Sequence, residues 1–313
     1  WGLQLLRHIR RNSETAFWNP VKPEVAGFAN QFGQYTNLTD IQPPLRLSFS
    51  PYLSTGVRSQ PFVETGKTEW LRSGGMDVKY GINESFTLDA TLVPDFGQVV
   101  SDNVINNLTP YEQYFQENRP FFTEGTELFN KAGLFYSRRI GATPAEYSRV
   151  QSLAAINNLE VVKNPFITQL YNAIKFSGRT KKKLGIGVFN AIAAPMYADL
   201  YNPVNKQDTS IMTEPLVNYN IVVLDQAFSG RSSVTFTNTS VVRNGSAHDA
   251  NVSALDWALY TKANNYVVSG TARYSKTFGY RPFSYGYFMN TDTTTIGGRR
   301  YLKPYDGFTT RLR

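Results

Sequence analysis

Alternation constrains this chain more than any other feature. In "SFTLDATLV", Phe86, Leu88, Ala90 and Leu92 fall on one face of an extended backbone, and Thr87, Asp89 and Thr91 on the other. "DVKYGI" sets Val78, Tyr80 and Ile82 against Asp77, Lys79 and Gly81, and Asn83-Glu84 between the two segments reads as a hairpin turn. "KLGIGVFNAIA" sets Leu184, Ile186, Val188 and Ile192 against Gly185, Gly187, Ala191 and Ala193. "SALDWALYTK" opposes Leu255, Trp257 and Leu259 to Asp256 and Lys262. "YVVSGTARYSK" opposes Tyr266, Val268, Ala272 and Tyr274 to Ser269, Thr271, Arg273 and Ser275. A side-chain period of two belongs to strands whose faces meet different surroundings. The fold class expected is all-β, with antiparallel strands.

Such a pattern fits a soluble sandwich or solenoid as well as a transmembrane β-barrel. Two details favour lipid. The polar faces carry Lys and Arg in mid-strand, as a wet lumen allows. Tyr266 and Tyr274 bracket their strand, and at ~3.3 Å per residue and a tilt of about 40° they stand roughly 20 Å apart, near the ~25 Å apolar band of outer-membrane barrels with its aromatic girdles. An aromatic content of 14% agrees with this. No stretch reaches the ~18 apolar residues of a membrane helix, and a barrel needs none. Short connections at Gly178–Lys183 and Lys262–Asn265 contrast with a long polar one at Ala194–Pro215. That unevenness is a habit of outer-membrane barrels. The chain opens on Trp1 without a charged leader and is expected to be a piece of a longer protein, its barrel incomplete.

The net charge of +8 fits an anionic neighbour such as lipopolysaccharide or an acidic glycan. Nucleic acid is not expected, because the run Lys181–Lys183 reads as a solvated hairpin tip. With no cysteine, and with His8 and His248 far apart in sequence, neither a zinc site nor a nucleophilic triad is supported, and no cofactor or metal is expected.

Residues 94–130 break the strand pattern. Thr109, Pro110 and Glu112 spell a capping box, which predicts a short helix with Tyr111, Tyr114 and Phe115 on one face, ending before Pro120. "RPFF" after it reads as extended. Arg119 is expected in a buried network with at least one carboxylate. Asp95, Asp102 and Asn103 are oxygen ligands without calcium-loop spacing. Glu112, Glu117, Glu124 and Glu127 are the acids a hydrolase would draw on. A segment this long and aromatic is expected to pack as a plug inside the barrel, since lipid would leave its irregular backbone unpaired and water would expose its rings.

The stretch "MDVKYGINESFTLDATLVPDFGQVVSDNVINNLTPYEQYFQENRPFFTEGTELF", followed by "LFYSRRIG", resembles a Bacteroidota-type family that carries domain of unknown function 5916. The matches include Asp77, Lys79, Tyr80, Gly81, Asp89, Pro94, Asp95, Phe96, Gln98, Asp102, Glu112, Glu117, Arg119, Phe121, Phe122, Glu124 and Gly125. Val93 and Val100 depart from the family's Asn and Glu, which puts in doubt any site needing that acid. The resemblance implies a family-9-like carbohydrate-binding module ahead of an outer-membrane β-barrel. Residues 1–22 then look like the tail of that module, and residues 23–313 like the barrel domain with its insert. It implies no reaction. The expected activity is glycan or ligand binding, transport, or a structural role in a larger outer-membrane complex, in contact with the lipid bilayer. A membrane-associated hydrolase is the alternative. The expected network residues are Asp95, Asp102, Glu112, Glu117, Arg119, Glu124, Arg138 and Arg139.

Overall fold

The computed structural model describes residues 2–22, 28–37, 45–59, 68–94, 114–228, 230–245, 248–279, 281–282, 293–296, 299–302 and 306–312. Thirteen strands build its main features. In chain order they are β1 (Leu47–Ser59), β2 (Thr68–Gly81), β3 (Phe86–Leu92), β4 (Glu160–Lys163), β5 (Leu170–Arg179), β6 (Leu184–Ala193) and β7 (Met196–Asn202). There follow β8 (Gln207–Glu214), β9 (Val217–Ala227), β10 (Ser233–Arg243), β11 (Asp249–Tyr260), β12 (Val267–Phe278) and β13 (Asp306–Leu312). Ten of these form one sheet in the order β13-β12-β11-β10-β9-β6-β5-β3-β2-β1, every neighbouring pair antiparallel. Among the described residues β1 and β13 do not pair with each other, so the sheet is open.

The register keeps each face in phase across the strands. Ile186 stands beside Leu224, Leu224 beside Phe236, Phe236 beside Leu255 and Leu255 beside Ala272. In this row and toward Leu259 the outer face is apolar and open, with Leu224, Phe236, Leu255 and Leu259 each about two-fifths exposed, while farther along the same face Asn190 bonds Asn220 and Asn238 bonds Asn251 and Ser253. One residue over, Gly187, Val223, Thr237, Ala254 and Arg273 line up on the inner face. There Val223 and Thr237 are fully buried. Tyr274 stands on the outer face and Tyr266 in the turn before β12. Lys262 also lies in that turn rather than opposite Leu255, because β11 ends at Tyr260.

Residues 114–141 cover the inner face. Phe122, Leu128, Phe129 and Ile140 share a core with Ala173 and Phe189 of β5 and β6 and with Val223 of β9. Phe189 lies 5.7 to 6.3 Å from the rings of Phe135, Phe122 and Phe129. The small face of β6 makes room for them. A Cβ on Gly187 would sit 3.2 Å from the Phe129 ring. Each buried ring contributes about 1.5–3 kcal/mol of transfer free energy, so this cluster is what holds the segment to the sheet.

Three expectations need correcting. Tyr114–Arg119 is not helical, and Thr109–Glu112 lies outside the described residues, so the capping box cannot be placed. "RPFF" is not extended. Pro120–Thr123 forms one helical turn, α1, because Pro120 pre-sets the backbone at its first position and Phe122 N–H bonds the Arg119 carbonyl at 2.9 Å. Ala194–Pro215 is not a loop. It is the hairpin β7–β8, with β4 on its other side. Ala198 and Leu200 are buried there against Val150 and Ala154 of α2 (Tyr147–Ile156), so the segment gains a small core of its own.

The two ends of the sheet differ. Residues 82–85, 180–183, 228–232 and 261–266 make tight connections, all at one end. The ends of β3, β6 and β12 that lead into longer segments of the chain lie at the other, with the ends of β1 and β10. Toward the N-terminus, Gly2–Leu3 pairs with Gly33–Gln34 and Leu6–Ile9 with Glu14–Phe17, hydrogen-bonded apart from the ten strands.

Candidate functional site

The polar groups of the inner face and of residues 114–141 meet in three clusters. The first surrounds Arg119, which is 6% exposed. Its Nε donates to Glu117 Oε1 at 2.9 Å and its Nη2 to Glu117 Oε2 at 2.7 Å, a two-pronged ion pair. The remaining donors reach the carbonyls of Ile140 at 2.8 Å and Ser137 at 2.7 Å, and the guanidinium lies 4.2 Å from the Phe122 ring centroid. The Ser137 hydroxyl also donates to Glu117. Burial pushes the Glu117 carboxyl up, but the bonds from Arg119 and Ser137 outweigh it and hold the acid below its usual range. Arg138 is 3.9 Å from Glu117 and donates to the Gln116 carbonyl. Tyr114–Arg119 and Ser137–Ile140 are therefore pinned together through one guanidinium.

The second cluster centres on Lys175 of β5, which is 2% exposed. Its ammonium donates to the carbonyls of Phe121, at 2.7 Å, and Glu124, and lies 3.5 Å from Asp89 of β3. All its protons thus have partners, and the main chain around α1 is clamped to the sheet. Beside it, the Glu124 side chain pairs with Lys79 of β2. The Lys79 hydrogen bond holds Glu124 below the usual carboxylate range.

The third cluster is Asp225 of β9, which is fully buried. Lys131 donates to it at 2.7 Å and Thr235 at 2.8 Å, and Arg179 also pairs with it. Further along, Arg273 reaches the Ala132 carbonyl at 3.0 Å and stands 3.9 Å from Asp256.

The structure brings together Glu117, Arg119 and Arg138. It places Glu124 separately, on Lys79. Arg139 stacks over Tyr136 at 5.9 Å on the exposed side. Asp95, Asp102 and Glu112 lie outside the described residues. Sequence reasoning missed Asp225, Lys131 and Ser137. A signal for the first was available: in "NIVVLDQA" an acid occupies the same phase as Ile221 and Val223, where only a partnered charge can be buried. Glu117, Glu124 and Asp225 are each bonded to a cation, an arrangement that holds segments in place. Among the described residues no three His, Asp or Glu side chains converge as metal ligands.

The fold and its clusters define a mostly β protein, an open antiparallel sheet whose polar face is packed by an internal segment. The family described as "Domain of unknown function (DUF5916)" matches residues 43–309. The chain belongs to that family. No curated protein and no solved structure matches it.

Proposed function

We propose that the ten strands are the wall of an outer-membrane β-barrel, that residues 114–141 are its plug, and that the protein binds or passes a glycan-type ligand within an envelope complex. One observation carries this reading. Toward the tight turns the sheet's outer face is an exposed apolar surface, giving way farther along to Asn190, Asn220, Asn238 and Asn251, and its inner face holds the buried charges and a packed segment. The inner face already has its apolar core against residues 114–141, so the exposed apolar rows of the outer face are left for another solvent, and lipid is the one that rewards them. The tight turns gathered at one end agree with it, as does an edge that only further strands would close. Residues 1–22 are taken as the tail of a carbohydrate-binding module, which is the ground for a glycan, and lipopolysaccharide as the lipid partner of the outer leaflet. The pairing of Glu117 with Arg119 and of Glu124 with Lys79 favours binding over hydrolysis.

The test is fractionation of the full-length protein in its own cell. It is expected in the outer membrane, resistant to alkaline carbonate. Recovery in a soluble fraction would overturn the reading. Hydrolysis of a glycan or peptide that disappears in Glu117→Gln, with folding intact, would promote the membrane-associated hydrolase instead.

A further inference from the structure

Two neighbouring tight turns, residues 82–85 and 180–183, frame a cavity of about 680 Å³ at the turn end of the sheet. They are adjacent because β3 pairs with β5, with Phe86 opposite Gly178. The walls combine two chemistries. Leu45, Tyr80, Ile82 and Phe86 supply apolar surface. Arg46 and Lys181 supply positive charge, and Glu84 supplies one carboxylate. Arg179 also lines the space, but its guanidinium is committed to Asp225 and to the Lys183 carbonyl. Arg46 spends one donor on the Asn83 carbonyl at 3.1 Å, and a planar guanidinium has others left. The apolar side of the cavity runs without a break into the outer face. Tyr80 stands beside Leu88 and Leu88 beside Phe176, and Phe86 stacks on Phe176 at 5.3 Å.

We propose that this cavity seats the headgroup of a zwitterionic aminophospholipid, its phosphate on Arg46 and Lys181 and its ammonium on Glu84. The acyl chains run from Phe86 over Leu88 and Phe176. The inference rests on the membrane reading and adds a particular lipid at a particular rim. A free phosphate leaves the apolar walls unused. A purely anionic headgroup leaves Glu84 facing like charge. A headgroup carrying both signs matches every charged group that is not already engaged.

The experiment uses full-length protein in detergent, stripped of lipid and melted with phosphatidylethanolamine, phosphatidylglycerol or inorganic phosphate. Phosphatidylethanolamine is expected to raise the melting temperature most, and phosphate alone not at all. Glu84→Gln is expected to abolish the preference between the two lipids while keeping binding. Arg46→Gln is expected to weaken both roughly tenfold. Equal shifts from the two lipids with the unaltered protein, no shift from either, or an equal shift from phosphate would each overturn the site. A separate readout judges the membrane reading: quenching by brominated lipid of the fluorescence that Trp257→Phe removes. Quenching without a lipid preference sinks the site alone. Absence of quenching sinks the barrel and the site together.

Discussion

On the row Leu224–Phe236–Leu255 every side chain is apolar and about two-fifths exposed, while on the next row Val223, Thr237 and Ala254 are essentially sealed. The two rows belong to the same strands and differ only by one step of the pleat. What separates them is what each meets. The inner row meets residues 114–141, whose phenylalanines need small neighbours and whose main chain needs donors. The outer row meets no other described part of the chain. A period of two therefore reports that the faces differ, and says nothing of which one is the interior.

The largest effect is expected at Arg119. Arg119→Ala strands Glu117 and Ser137 in a buried setting, and should cost on the order of 3–5 kcal/mol by denaturant melting. A loss under about 1 kcal/mol would mean that water reaches this cluster and that the inner face is not sealed. Next is the outer row. Leu255→Arg should cost about 2–4 kcal/mol in a bilayer near its midplane. If the outer face were simply wet, the same change would fall within about 0.5 kcal/mol.

Acid is the third probe. The Glu117 carboxyl is held below its ordinary value in the folded protein, so its contribution is present above that ordinary value and is lost as pH falls through the folded one. Melting temperature should decline from about pH 4.5, the ordinary value of such a carboxyl, downward. Glu117→Gln should start lower and flatten this part of the curve. A decline of equal size in that variant would assign the acid sensitivity elsewhere. The smallest effect is expected at Glu124, whose pair with Lys79 is mostly exposed. Glu124→Gln should change stability by no more than about 1 kcal/mol.

The strands were legible because alternation is local. Asp89 and Lys79, Leu255 and Trp257, and the turn after Ile82 all follow from spacing alone, and the register agrees with them. Arg119 was legible as a buried charge because a guanidinium amid phenylalanines must find a carboxylate. Its particular partner, Glu117, follows from a bend in the chain between them that no periodicity announces. α1 was misread for a similar reason: the proline that closes one helix can open the next. The hairpin β7–β8 was hidden because its apolar positions, Ala198 and Leu200, are few, and their worth depends on α2, which lies far back in the chain. Lys131 and Asp225 could not be paired in advance, since their contact spans 94 residues and is decided by how residues 114–141 lie across the sheet.

The clamp on Lys175 also bears on the order of assembly. Val93 N–H bonds the Tyr171 carbonyl at 2.8 Å, so pairing β3 with β5 ties off everything between them as one large loop. Closing a loop of that length costs more than closing a turn, though the penalty grows only logarithmically with its size. Residues 114–141 lie inside that loop, and Lys175 grips them from the strand that closes it. The same event that joins two strands thus delivers the segment to its place. The remaining strands can then add outward on both sides of a centre that is already filled.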